Sequence, residues 1–129
     1  MFKKFIHWVF VLLWLSVIFF FSSQPDLKSS LESYWDFIFR KIAHVSEYFV
    51  LSYLSFRAFD SYGFPFSSVL LHSIIFTLFF AAFDELYQTT IHGRVGSLMD
   101  VVTDSIGIWC FVLLSLYYHS RRKTQSSSL

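Results

Sequence analysis

Charged side chains are scarce in this chain. Asp, Glu, Lys and Arg make up only 15% of its 129 residues, against 55% hydrophobic ones. A water-soluble domain of this length needs more charge to cover its surface, so the composition argues against one. There is no excess of either sign, since ten basic and nine acidic residues leave a formal net charge of +1, and nothing marks a nucleic-acid-binding surface. The single cysteine, Cys110, excludes an internal disulfide and any cysteine-based metal knuckle. It lies in an apolar stretch, where a packing role is expected. No internal repeat is visible, and the apolar residues do not alternate with polar ones as the strands of a membrane barrel would require.

What is present is hydrophobicity in long blocks, with a positive mean hydropathy. The blocks run from Phe5 to about Phe21, from about Ile42 to Phe59, from about Val69 to Leu86 and from about Leu98 to Tyr118. Each approaches the roughly 20 residues that a helix needs to cross a bilayer. Helices satisfy their own backbone in lipid, so the expected fold is all-α. It is an integral membrane four-helix bundle with helices at about 5–22, 40–59, 67–87 and 98–118. Residues 1–118 form one domain and 119–129 a basic, polar cytoplasmic tail, whose end, "TQSSSL", has nothing to pack against and is expected to be disordered. Lys3 and Lys4 precede the first block as in a signal peptide, but "SSQPD" after it lacks a small-x-small cleavage pattern, so an uncleaved helix is expected.

Between Gln24 and Arg40, Leu27, Leu31, Trp35 and Ile38 recur at helical spacing among Asp26, Lys28, Glu32 and Asp36. That pattern predicts a short interfacial amphipathic helix between helices 1 and 2. "YGFPF", with Gly63 and Pro65, predicts a tight turn between helices 2 and 3. Lys3 and Lys4 at one end of the chain and Arg121, Arg122 and Lys123 at the other place both termini in the cytoplasm by the positive-inside rule.

With four spans, the polar residues collect at one side. Helix 1 ends in Ser22, Ser23 and Gln24; helix 2 begins with Lys41, His44, Glu47 and Tyr48. Helix 3 ends in Asp84, Glu85 and Gln88; Arg94 follows in the loop, and Asp100 and Asp104 open helix 4. Lys41, His44 and Tyr48 share a helix face, as do Asp100, Asp104 and Gly107. An unpaired charge at the centre of a membrane helix costs about 2.5–3.5 kcal/mol on insertion scales, so these groups are expected to turn inward and find partners. A polar pocket at the outer mouth of the bundle results. His7 and His72 lack acidic company and read as packing residues, and His92 reads as solvated.

The runs "FSSQP", "RKIAHVSEYFVL" and "DELYQTTIHGRVGSLMDVVTDSIG" together resemble the VanZ-like membrane proteins. The matching residues are Lys41, His44 and Tyr48; Asp84, Glu85 and Gln88; Arg94; and Asp100 with Gly107. The chain lacks the usual Pro near the Arg and carries Asp104 about where an Asn is common, which makes it a divergent member. The resemblance implies a bacterial cell-envelope protein of the inner membrane, associated with resistance to teicoplanin-type glycopeptides.

For the chemistry, His44 is a candidate general acid or base, with Glu47, Asp84 and Glu85 as further catalytic candidates. Lys41, Tyr48, Gln88, Arg94, Asp100, Asp104, Ser23 and Gln24 are candidates for binding an anionic lipid or lipid-linked envelope precursor. No cofactor is expected. A divalent metal at His44, Glu47 and Glu85 stands as the alternative, because His44-x-x-Glu47 is a spacing that carboxylate–histidine sites in bundles use. A small transporter and a non-catalytic scaffold or partner-docking protein remain open, as does the oligomeric state.

Overall fold

The computed structural model describes residues 2–24, 34–92 and 97–126. All the regular structure among them is helical: α1 (Phe2–Ser22), α2 (Tyr34–Asp60), α3 (Phe66–Gln88) and α4 (Leu98–Ser126). Three stretches, Lys4–Ser22, Phe66–Gln88 and Leu98–Gln125, are long and apolar enough to cross a membrane. α2 matches them in length but not in apolarity, because it carries Lys41, His44, Glu47 and Arg57. Its position accounts for that difference. α2 packs against each of the other three helices, whereas α1 and α4 do not meet among the described residues.

Chain direction follows from the contacts. The Trp8 indole donates to the Tyr62 hydroxyl at 3.1 Å, and the Lys4 ammonium lies 4.7 Å from the centre of the Tyr62 ring. The start of α1 therefore adjoins the α2–α3 connection. That connection is the turn foreseen in "YGFPF". Gly63 takes φ 78°, a left-handed conformation that a residue without Cβ adopts readily, and its N–H donates to Asp60 O at 3.0 Å. Pro65, with φ −56°, then precedes α3, where its missing N–H costs no helical bond.

Three expectations change. Tyr34–Arg40 is the beginning of α2 rather than a separate interfacial helix, since neither Pro nor Gly interrupts the run into Ile42; residues 25–33 of the proposed amphipathic stretch lie outside the described residues. α4 continues beyond Tyr118 to Ser126, so Arg121–Gln125 are helical, as the helix propensities of Arg, Lys and Gln allow. Cys110 is exposed beside the outward-facing Trp109 and Leu113 and is not a core residue.

The core is built from one stripe per helix. On α1, Val11, Leu15 and Ile18 are buried at spacings of four and three and are followed one turn later by buried Ser22. They belong to one buried cluster with Tyr48, Leu51 and Ala58 of α2, Ala81 of α3 and Ile108 of α4. Small residues line the α2–α3 seam: Ser52, Ser55 and Ala58 on one side, Ser73, Thr77 and Ala81 on the other. Their hydroxyls bond back to their own helices (Ser52 to Tyr48 O at 2.8 Å, Thr77 to Ser73 O at 2.7 Å), so backbones approach without orphaned polar groups. The outward faces carry Phe, Leu, Ile and Trp, as a lipid-facing surface requires.

α2 and α4 approach closely at Gly107. A Cβ there would lie 2.1 Å from Val45 O and 2.9 Å from Phe49 N, both backbone atoms of α2. Gly107→Ala improves helix propensity by about 1 kcal/mol but forces the two backbones apart, an overpacking cost of about 1–3 kcal/mol. Gly107→Ala is therefore expected to lower the unfolding midpoint in detergent, and Gly107→Leu to prevent accumulation of folded protein. An unchanged midpoint for both would contradict the close approach.

Candidate functional site

At the end of the bundle remote from Tyr62, α2 and α4 are joined rung by rung. Lys41 and Asp100 form an ion pair; their side chains are 27% and 33% exposed, so the pair stands at the mouth. One turn deeper, His44 Nδ1 lies 3.5 Å from Asp104 Oδ1 and 3.7 Å from Glu47 Oε2. Gly107 makes the backbone contact one turn further in. Asp100, Asp104 and Gly107 thus use a single stripe of α4, and Lys41, His44 and Tyr48 the matching stripe of α2. Both stripes are those that the i, i+3, i+4 and i+7 spacings single out. Tyr48 is completely buried and Asp104 is 1% exposed.

α3 closes the other side. Asp84, Glu85 and Gln88 are all buried. Gln88 Nε2 donates to Asp84 Oδ2 at 2.9 Å and lies 3.4 Å from Ser22 Oγ of α1. The neighbouring carboxylates diverge: Asp84 turns toward Gln88 and the interior, while Glu85 accepts the backbone N–H of Ser97 just ahead of α4. Glu85 in this way ties the end of α3 to the start of α4. Asp84, Asp104 and Glu47 all act electrostatically on the Tyr48 hydroxyl, so the groups from α2, α3 and α4 surround one point.

Several buried carboxylate oxygens of the cluster have no hydrogen-bond partner among the described residues: Asp84 Oδ1, Glu85 Oε2 and Asp104 Oδ2. A buried polar atom left unpaired costs about 1–3 kcal/mol. Concentrating several at one place is unusual for a purely structural interior, where such groups are normally satisfied. The arrangement suits a place where a further donor, a proton or a ligand is held.

The sequence-based candidates divide as follows. Lys41, His44, Glu47, Tyr48, Asp84, Glu85, Gln88, Asp100 and Asp104 come together in the cluster. Ser23 and Gln24 do not: Ser23 Oγ bonds Phe20 O at 2.7 Å, and exposed Gln24 bonds Phe20 O at 3.2 Å and Ser23 Oγ at 3.4 Å. The residue of α1 that reaches the cluster is Ser22, 2% exposed. The signal for it was available, because Ser22 continues the Val11–Leu15–Ile18 stripe and Ser23 does not. Arg94 lies outside the described residues. Among the described residues no group of three His, Cys, Asp or Glu side chains is arranged to hold a metal ion, so His44, Glu47 and Glu85 are not assembled as ligands of one centre. His72 is tied to Ser68 O of its own helix at 2.7 Å, and His92 is exposed.

A family model described as VanZ/LLP1 matches residues 5–119, most of the chain, and the chain belongs to that family. No curated protein matches it, and no solved structure does.

The His44–Asp104 contact gives a test of the geometry. His44→Ala removes the imidazole that faces the buried Asp104 carboxylate at 3.5 Å and is expected to destabilise the protein by about 1–3 kcal/mol. Asp104→Asn keeps the shape and removes the charge, and is expected to be close to neutral. In the double variant the loss caused by His44→Ala should shrink, as a negative coupling in denaturant titrations of detergent-solubilised protein. Strictly additive effects would show that the two side chains do not interact.

Proposed function

We propose that this VanZ/LLP1 member is a multi-pass protein of the bacterial cytoplasmic membrane that performs general acid–base chemistry on an anionic envelope lipid or lipid-linked precursor at the outer face. Its physiological effect is lowered susceptibility to teicoplanin-type glycopeptides. The observation that carries the chemical part is the position of His44, whose Nδ1 faces the carboxylates of Asp104 and Glu47. Carboxylates on that side favour the tautomer with its proton on Nδ1 and its basic lone pair on Nε2. They also stabilise the imidazolium that forms when Nε2 takes a proton from a hydroxyl or water, and that then returns it to a leaving group.

Lys41, partly exposed at the mouth beside Asp100, is the cation best placed to meet a phosphate. Arg94 is assigned to the same anion from its place in the sequence, on the short connection between α3 and α4. Tyr48, Gln88, Asp84 and Glu85 supply the inner wall. The orientation is supported by Lys4, Arg57, Arg121, Arg122 and Lys123, which gather toward the opposite end, as cytoplasmic flanks do. A transport role has less support, because the mid-bundle hydroxyls of Ser52, Ser73 and Thr77 bond to their own helices and offer no relay from one end to the other.

One set of contacts favours a second reading, a non-catalytic scaffold. The cluster links all four helices through Lys41–Asp100, Ser97–Glu85 and Gln88–Ser22. The two readings separate in cells that express His44→Ala, Asp104→Asn, Glu85→Gln or Arg94→Ala protein under teicoplanin. Acid–base chemistry predicts that His44→Ala and Asp104→Asn return susceptibility to that of cells lacking the protein while membrane abundance and unfolding midpoint hold for Asp104→Asn. A scaffold predicts that the phenotype follows folded abundance alone. Full protection by all four variants would remove the catalytic proposal.

A further inference from the structure

A second polar feature lies at the other end of the molecule, where nothing in the acid–base proposal uses it. Between the last turns of α2 and the second half of α4, with Phe66 of α3 at the edge, is a cavity of about 490 Å³. That is within the range of roughly 300–1,000 Å³ typical of small-molecule sites. Its rim carries Arg57, Arg122, His119 and Asp60, and its wall is apolar, with Phe56, Phe111 and Leu114 prominent. His119 is held flat against Phe66, ring centres 3.8 Å apart and planes within 5°, and Phe56 packs edge-on against both Phe66 and Phe111. The wall is thus built from interlocked rings.

The two guanidiniums are the informative groups. Among the described residues neither Arg57 nor Arg122 makes an ion pair, although Asp60 lies one helical turn from Arg57. Arg121, next in sequence, is directed elsewhere, its guanidinium 5.3 Å from the centre of the Tyr117 ring. Two unpaired arginines on neighbouring helices beside an aromatic, apolar wall make an amphiphilic site. The charged end suits a phosphodiester, which Arg binds with two parallel hydrogen bonds, and the apolar end suits hydrocarbon.

We propose that this cavity seats the headgroup and upper chains of a monoanionic glycerophospholipid of the phosphatidylglycerol type. Its phosphate lies between Arg57 and Arg122, and its chains pass along Phe111 and Leu114 into the bilayer. Charge selects the class. With Arg57, Arg122 and Asp60 charged, the rim has a net charge of about +1, which one phosphodiester neutralises and a zwitterionic lipid does not. Asp60 then accepts from a headgroup hydroxyl. The site is independent of the His44 cluster and of which face of the membrane it meets.

The test uses the full chain in detergent micelles, with the unfolding midpoint followed as short-chain phosphatidylglycerol, short-chain phosphatidylcholine, or inorganic phosphate is added. A saturable rise is expected with phosphatidylglycerol alone, with a matching one-to-one lipid adduct in native mass spectra. Arg57→Gln/Arg122→Gln should weaken the apparent affinity roughly tenfold or more. Arg121→Gln should leave it unchanged, and Ser115→Trp, which fills the cavity without touching a charge, should abolish it. An equal rise with phosphatidylcholine would overturn the proposal, as would a rise with phosphate alone or wild-type affinity in the double arginine variant. Because the arginines are exposed and Ser115 probes the cavity separately, a folding defect in one variant leaves the other decisive.

Discussion

A carboxylate carried into a membrane by a helix has to be turned away from lipid, and the rest of this structure depends on how α2 and α4 meet that demand. Asp100 and Asp104 occupy one stripe of α4; Lys41 and His44 occupy the facing stripe of α2. Gly107 extends the same stripe and removes the side chain that would keep the backbones apart. Electrostatic pairing and close packing are thereby two parts of one seam. The seam also explains why α2, the helix without a stretch apolar enough to cross a membrane by itself, is central. α2 keeps its charges within a membrane protein because three other helices cover it.

Around that seam the other helices have simpler duties. α3 contributes a second set of acids and an amide, and its Glu85 fastens the connection into α4. α1 is the most uniformly greasy helix. It contributes Ser22 to the cluster and the Trp14 indole, which donates to Glu47 O at 2.9 Å and so touches the backbone beside the candidate acid. The site is therefore assembled from all four helices, although nearly all its charge comes from three.

Much of this was legible in the sequence, for a physical reason. In lipid, the penalty for misplacing a charged group is large, so helical spacing alone predicts which acids and bases face inward. Lys41, His44, Tyr48, Asp84, Glu85, Gln88, Asp100 and Asp104 all followed that logic. Small neutral polar groups carry a much weaker penalty, so the end of α1 is ambiguous in sequence: Ser22, Ser23 and Gln24 differ by one residue each, and only the buried stripe of α1 singles out Ser22. Helix ends were illegible for a related reason. Nothing in the local chemistry of Tyr34–Arg40 or Arg121–Gln125 forbids a helix, so α2 and α4 run on past their apolar blocks.

The narrow residues between α2 and α3 have a wider consequence. Ser52, Ser55 and Ala58 against Ser73, Thr77 and Ala81 give the bundle a narrow, buried waist, with every hydroxyl committed to a neighbouring helical carbonyl. A waist of that kind separates the polar cluster at one end from the arginines at the other. The two ends differ in kind: one presents acids and an imidazole, the other arginines over an aromatic wall. α2, α3 and α4 each contribute to both ends, so the packed seam between α2 and α3 holds the two polar regions at a fixed spacing.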